Sequence, residues 1–157
     1  MFRHFFQLLI LLSVLLLTCS QGLANGNKLA LYHVIVESKS FSSMDQRINS
    51  SLCNKLNKYE KFEVLSQNDC DKLLEDPSNS LLKAQNLNSA TKIAKEIDLN
   101  YLITGKIYDA NDVIILEMVL VDVNNGKEIK KVSREVSSSF SRLISVDFKN
   151  SLDELLL

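Results

Sequence analysis

Tryptophan is missing from the 157-residue chain, proline occurs once, at Pro77, and glycine only four times. So little proline and glycine excludes collagen-like, polyproline and low-complexity linker architectures, and leaves room for long uninterrupted elements. The glycines Gly22, Gly26, Gly105 and Gly126 stand far from any repeat that would build a phosphate-cradling loop. An excess of one charge is also missing: 18 Lys and Arg stand against 19 Asp and Glu. Nucleic acids are therefore not expected as partners, because binding them needs a basic stripe that replaces phosphate counterions. The densest basic group, Lys127, Lys130, Lys131 and Arg134, is interrupted by Glu128 and followed by Glu135, and it reads as a solvated, partner-facing strand edge.

Groups for chemistry are equally sparse. Of two histidines, His4 lies in an apolar leader, which leaves His33 among apolar strand residues as a structural histidine. No serine sits in a nucleophile elbow and no Cys-His pair is close in sequence. Asp69, Cys70 and Asp71 are adjacent, so on a helix they splay around the axis and do not converge on one ion. No catalytic, cofactor-binding or metal-ligating residue is assigned, and no enzyme is expected. The alternative is a small-ligand-binding or enzymatic domain with a pocket beside Gly105 and His33.

What the chain does have is an apolar run from Phe5 to Leu17 behind Arg3 and His4, ended by Thr18, Cys19, Ser20 and Gln21. A membrane-spanning helix needs roughly 20 apolar residues, so this shorter run reads as an export signal over residues 1–24. Two cleavage patterns coexist. Gly22-Leu23-Ala24 offers small residues to a general signal peptidase and would release a soluble chain from Asn25. Leu16-Leu17-Thr18-Cys19 resembles the bacterial lipobox, in which Cys19 is diacylated and then becomes the first residue; Thr18 occupies a position usually held by Gly, Ala or Ser. Two acyl chains would tether the domain stably to a membrane. Loss of Arg3 with the leader leaves 17 basic against 19 acidic residues, a net charge of −2.

The chain cut after Ala24 keeps Cys53 and Cys70. An even pair in an exported chain fits one disulfide, which would stabilise the fold by about 3 kcal/mol in the chain-entropy model. Two buried apolar thiols are the other reading.

Residues 25–157 suit a single domain of the α/β (α+β) class, a mixed sheet of about five strands in the element order β-α-β-α-α-β-β-β-α. Leu29 to Val36 reads as a strand buried on both faces. Ser42 and Ser43 offer caps to a helix whose Met44, Ile48, Leu52 and Leu56 form a stripe, with Cys53 beside it and Asp45, Arg47, Asn49 and Lys55 facing water. Phe62 to Leu65 is a second strand, parallel to the first. Ser66 or Asn68 caps a short helix through Leu74, and a surface connection over 78–88 follows in which Leu81 and Leu82 dip inward. Ser89 caps a third helix with Ala90, Ile93, Ala94 and Ile97 on one face. A meander comes next: Tyr101 to Tyr108, Val113 to Val123, and Glu128 to about Val136, joined by turns at 109–112 and at Asn124-Asn125-Gly126. Its middle strand is apolar on both faces, and Gly105 marks a bulge or a close backbone approach. A last helix from near Ser138 or Ser139 carries Phe140, Ile144, Phe148, Leu152 and Leu155 inward and Asp147, Lys149 and Asp153 outward. Leu155-Leu156-Leu157 is either buried in the fold or a partner contact.

Three segments resemble one superfamily. Phe62-Glu63-Val64-Leu65-Ser66-Gln67-Asn68-Asp69-Cys70-Asp71-Lys72-Leu73-Leu74 resembles the strand-to-helix segment of the curli-secretion lipoprotein CsgG and of the TolB amino-terminal domain. Ala94-Lys95-Glu96-Ile97-Asp98-Leu99-Asn100-Tyr101-Leu102-Ile103-Thr104-Gly105-Lys106-Ile107 is similar to the family's "Gly-Ala-Asp-Tyr-Leu-Leu-x-Gly" strand entry. Leu120-Val121-Asp122-Val123-Asn124-Asn125-Gly126-Lys127-Glu128-Ile129 is similar to its "Leu-Val-Asp-x-x-Thr-Gly-Glu" hairpin. The resemblance covers most of residues 28–136 and implies a non-catalytic docking or assembly module of a bacterial envelope, periplasmic or tethered to the outer membrane through Cys19. Its partners would be envelope proteins, with self-assembly into a homo-oligomer as a further alternative. Amphipathic pore hairpins and propeller repeats are absent from the sequence, so a pore is not expected.

Overall fold

A computed structural model describes residues 27–74, 81 and 86–157. The leader, including Cys19, and residue 82 lie outside the described residues. The elements run β1 (Asn27–Val36), α1 (Asp45–Leu56), β2 (Phe62–Leu65), α2 (Gln67–Leu73), α3 (Leu87–Glu96), β3 (Tyr101–Ala110), β4 (Val113–Asp122) and β5 (Lys127–Val136). A C-terminal helical segment closes the order: α4 (Phe140–Arg142), a π-helical turn over Leu143–Asp147, and α5 (Phe148–Leu156). One five-stranded mixed sheet of order β2-β1-β3-β4-β5 carries them. β1 pairs in parallel with β2 and β3, which the intervening helices permit, and β3-β4-β5 form the antiparallel meander.

Alternation along the strands gives the sheet two apolar faces. On one, Leu29, Leu31, Ile103, Ile107, Leu116 and Met118 pack against Ile48, Leu52 and Leu56 of α1 and against Leu143, Phe148, Leu152 and Leu155 of the C-terminal segment. On the other, Ala30, Leu102, Val121 and Val123 pack against Cys70 and Leu74, against Leu81, and against Ala90 and Ala94 of α3. The small alanines let α3 lie close to the sheet, and Leu81 is fully buried as expected.

The turns follow local chemistry. Asn111 and Asp112, with φ of 49° and 65°, make the two-residue link between β3 and β4. Positive φ at both positions gives a turn twist that suits a hairpin. At the next turn the Asp122 carboxylate accepts from the Asn124 amide at 2.8 Å and from the Asn125 side chain at 2.7 Å, and Gly126 takes φ 67°. Gly105 proves to be a close approach: a Cβ there would lie 2.3 Å from the backbone oxygen of Glu117 on β4. The irregularities fall elsewhere, at Leu31/His33 in β1 and opposite Leu120/Val121 in β5.

Four local expectations are corrected. Neither Ser42 nor Ser43 caps α1; its N-cap is Met44, without a side-chain hydrogen bond, while Ser43 takes φ 68° at the end of a short 3-10 turn capped by Ser38. Asn86, not Ser89, caps α3, its Oδ1 accepting from the Ser89 amide at 2.9 Å. Asp147 is buried rather than outward, and its carboxylate accepts from the Ser137 amide at 3.2 Å. The π turn explains this: its five-residue spacing aligns Leu143 with Phe148, so Leu143 rather than Ile144 takes the fully buried place. Of the three terminal leucines, Leu155 is buried, Leu156 half-buried and Leu157 exposed.

Candidate functional site

β2 covers β1 only from Asn27 to Ala30, so the rest of β1 leaves the sheet with an open edge between α1 on one face and α2 on the other. Two side chains of α1 fill part of that edge. Asn49 Oδ1 accepts from the Val34 amide at 2.8 Å, and Asn49 Nδ2 donates to the Val34 carbonyl at 3.0 Å. One carboxamide thus supplies both hydrogen bonds that a neighbouring strand would have made. Nδ2 also donates to the Asp45 carbonyl at 3.0 Å, which fixes the amide orientation, and Asp45 Oδ1 accepts from the Val36 amide at 3.2 Å. Sequence periodicity puts both residues on the water-facing side of α1. Asx residues on a polar helix face signal nothing by themselves; their role depends on β2 ending after four residues.

Beside this clamp lies an open groove of about 720 Å³, lined by Leu31 and His33 of β1, Asn49 and Cys53 of α1, and Ser66 and Asp71 around the start of α2. Ser66 caps α2 as expected, its Oγ accepting from the Asp69 amide at 3.2 Å. Hydrogen bonds from Ser66 and then Lys72 hold the Asp69 carboxyl below its ordinary value. Cys53 is half-buried and Cys70 buried, both as free thiols, so no Cys53–Cys70 bridge is formed in this structure. Burial first, then the Asp71 and Asp69 carboxylates, push the Cys70 thiol up to about 12. His33 lines this groove, whereas Gly105 is not among its lining residues and pairs with Met118 inside the sheet.

The four cations of β5 do not make one patch. Lys130 stands opposite Leu120 and Arg134 opposite Leu116, on the face of the C-terminal helix, while Lys131 stands opposite Val119 on the other face. Arg134 is half-buried, donating to the Asn150 carbonyl at 3.4 Å and pairing with Glu154, so it anchors α5 instead of facing a partner. Lys131 Nζ lies 2.9 Å from the Glu117 carboxylate, whose hydrogen bond raises the Lys131 pKa. Lys127 and Lys130 remain exposed on the outer strand.

At the end of the sheet that carries the β3-β4 turn, Asp109 accepts from the Ser38 hydroxyl at 2.5 Å and the Lys39 amide at 3.0 Å, bonds that lower its pKa and clip the segment after β1 to the turn. Among the described residues, no three His, Cys, Asp or Glu side chains converge to hold a metal ion, and no helix is long and apolar enough to cross a membrane. Among the described residues the surface offers an open groove, an outer strand, and a sheet face covered over part of its area.

No protein-family model and no curated protein sequence matches the chain. Solved structures do. The chain is similar to the LpoB C-terminal domain from Escherichia coli, at 20% identity over 71% of this chain and 83% of that one, with a TM-score of 0.60. It is similar to lipoprotein GNA1162 from Neisseria meningitidis, at 13% identity over 83% and 99% of the two chains, with a TM-score of 0.52. It is similar to TolB from Acinetobacter baumannii, at 17% identity over 84% of this chain and 28% of that one, with a TM-score of 0.51. At these identities the likeness is one of fold, and the fold is TolB-like and LpoB-like.

Proposed function

We propose that the chain is a non-enzymatic, exported docking or assembly module of a bacterial cell envelope, serving a complex of the secretion, peptidoglycan-synthase-activating or flagellar accessory type. The observation that carries this reading is the fold itself, a five-stranded sheet with helices on both faces, shared with LpoB, TolB and lipoprotein GNA1162. Fold alone does not fix a role. The export-type leader and the three sequence patterns argue in the same direction. Kinship with the curli-secretion lipoprotein rests on those patterns. The module is held in the periplasm, free from Asn25 or tethered to the outer membrane through a diacylated Cys19, and the likeness in fold to GNA1162, a lipoprotein, supports the tethered form.

Crosslinking in intact cells followed by purification from the membrane fraction is expected to recover one defined envelope complex. Recovery of an uncomplexed chain alone would count against the reading. Intact mass and the first residue separate the two anchoring states: a lipid-modified Cys19 means tethered, and Asn25 means free. A second reading, a small-ligand site, is favoured by one feature, the groove that holds His33 and Cys53. His33→Ala is expected to leave the envelope phenotype and the stability unchanged; a lost phenotype in a stable variant would favour the ligand site.

A further inference from the structure

The sheet face beneath α2 and α3 is covered only toward the end holding Ala30, Leu102, Val121 and Val123. Farther along β1, β3, β4 and β5 the same face carries Ile35, Lys106, Tyr108, Ile115, Glu117 and Lys131, with no described helix packed over them. Ile35, on the part of β1 that β2 leaves uncovered, is 50% exposed. The register orders this bare area. Thr104 stands opposite Val119, Lys106 opposite Glu117, and Tyr108 opposite Ile115 across the β3-β4 pair. The Lys106 ammonium lies 4.4 Å from the centre of its own Tyr108 ring, and Lys131 pairs with Glu117. Charge therefore alternates across β3, β4 and β5 as plus, minus, plus, between apolar side chains.

We propose that this bare face packs against the same face of a second copy of the chain, about a two-fold axis that runs parallel to the strands between β3 and β4. Such an axis lays β3 of one copy over β4 of the other. Because the paired residues sit at equal height along the strands, Lys106 then meets Glu117 of the second copy, and Tyr108 meets Ile115, each contact occurring twice. The Lys106–Glu117 and Tyr108–Ile115 pairs join unlike partners, cation with anion and aromatic with aliphatic, which is the self-complementarity an isologous contact requires. Aligned sheets pack about 10 Å apart, a gap that side chains of this size fill. An anionic lipid surface fits the face poorly, since Glu117 and Glu135 lie on it.

The area sets the strength. Four strands about 4.8 Å apart and roughly seven residues at 3.3 Å each give on the order of 450 Å² per copy. Stable complexes bury about 800 Å² per partner, so the dimer is weak and depends on concentration. It stands apart from the docking role: its failure leaves that role untouched.

Sedimentation velocity of the purified exported chain, from low micromolar to several hundred micromolar, is expected to show the mass rising from monomer to dimer. Lys106→Glu and Glu117→Lys each place like charges across the axis and are expected to weaken the dimer about tenfold or more. Mixing these two variants restores unlike charges at both contacts, so the mixture is expected to associate where neither variant does alone. Ile115→Arg serves as a second probe if either charge reversal unfolds the chain, with the thermal midpoint checking the fold. A constant monomer mass overturns the proposal. So does a dimer indifferent to Lys106→Glu and Ile115→Arg but broken by Ser133→Pro, which marks pairing through the β5 edge. A photocrosslinker at position 115 that captures a different envelope protein and never a second copy also overturns it.

Discussion

Replacing Asn49 by alanine tests how the open edge of β1 is sealed. The change deletes two hydrogen bonds to the backbone of Val34, a fully buried residue, and leaves its N–H and C=O without their partner. An unsatisfied buried polar group costs about 1–3 kcal/mol, and the adjoining groove lets water approach, which favours the lower half of that range. The expected loss is therefore about 2–4 kcal/mol. At roughly 3 °C per kcal/mol for a domain of this size, the thermal midpoint falls by about 6–12 °C. Asn49→Asp is the sharper variant. It keeps an acceptor for the Val34 amide but turns the donor toward the Val34 carbonyl into a second acceptor, so near neutral pH it is expected to be at least as damaging as alanine. Protonating the introduced carboxyl restores a donor, and the deficit should shrink in mild acid. Urea unfolding followed by circular dichroism at two pH values measures both effects. A loss below about 1 kcal/mol for Asn49→Ala, with Asn49→Asp no worse, would refute the strand-mimic role.

Gly105→Ala drives a methyl group against the Glu117 backbone oxygen, and the two paired strands are expected to shift at a cost of about 1–3 kcal/mol or more, read as a lower urea midpoint; an unchanged midpoint would show that the approach is not limiting. Burial and the neighbouring Asp71 and Asp69 carboxylates keep the Cys70 thiol protonated at pH 8, so a maleimide should label the half-buried Cys53 first and Cys70 only on unfolding. Denatured protein that labels at neither position until a reductant is added would prove a bridge. Asp153, whose carboxyl is lowered by hydrogen bonds from Lys149 and then Tyr59, contributes stability that is complete above the ordinary carboxylate value of 3.8 and is lost as pH falls from there through its lower folded value. Tyr59→Phe should therefore flatten the acid limb of the stability profile below pH 4, and an identical acid limb in both proteins would reject the link.

The parts of the fold legible in the sequence were those fixed by short-range chemistry. The stripe Ile48, Leu52 and Leu56, the Ser66 cap, and the Asn125-Gly126 turn each follow from spacing or from backbone angles that few residues accept. Strand order is another matter. Nothing local tells β3 to lie beside β1, and a strand of four residues does not announce that it leaves its neighbour half uncovered. For that reason Asn49 and Asp45 read as solvent-facing, since a polar residue that replaces a missing strand looks the same in sequence as one that meets water. The π turn is similarly hidden: Phe140, Ile144 and Phe148 keep perfect four-residue spacing, and the five-residue step from Leu143 to Phe148 is selected only by contact with the sheet. The four β5 cations form one cluster in sequence, and strand alternation divides them between two faces.

The outer border of β5 carries a consequence for how copies of the chain can meet. Ile129 is the extra residue of an irregularity in its pairing with β4, and it juts out 52% exposed among Lys127, Glu128 and Lys130. A kinked, charged rim resists addition of another strand, and the opposite rim is only four residues long. Strand-by-strand addition, the simplest route from a sheet to a fibre, is thereby disfavoured at the two outer strands.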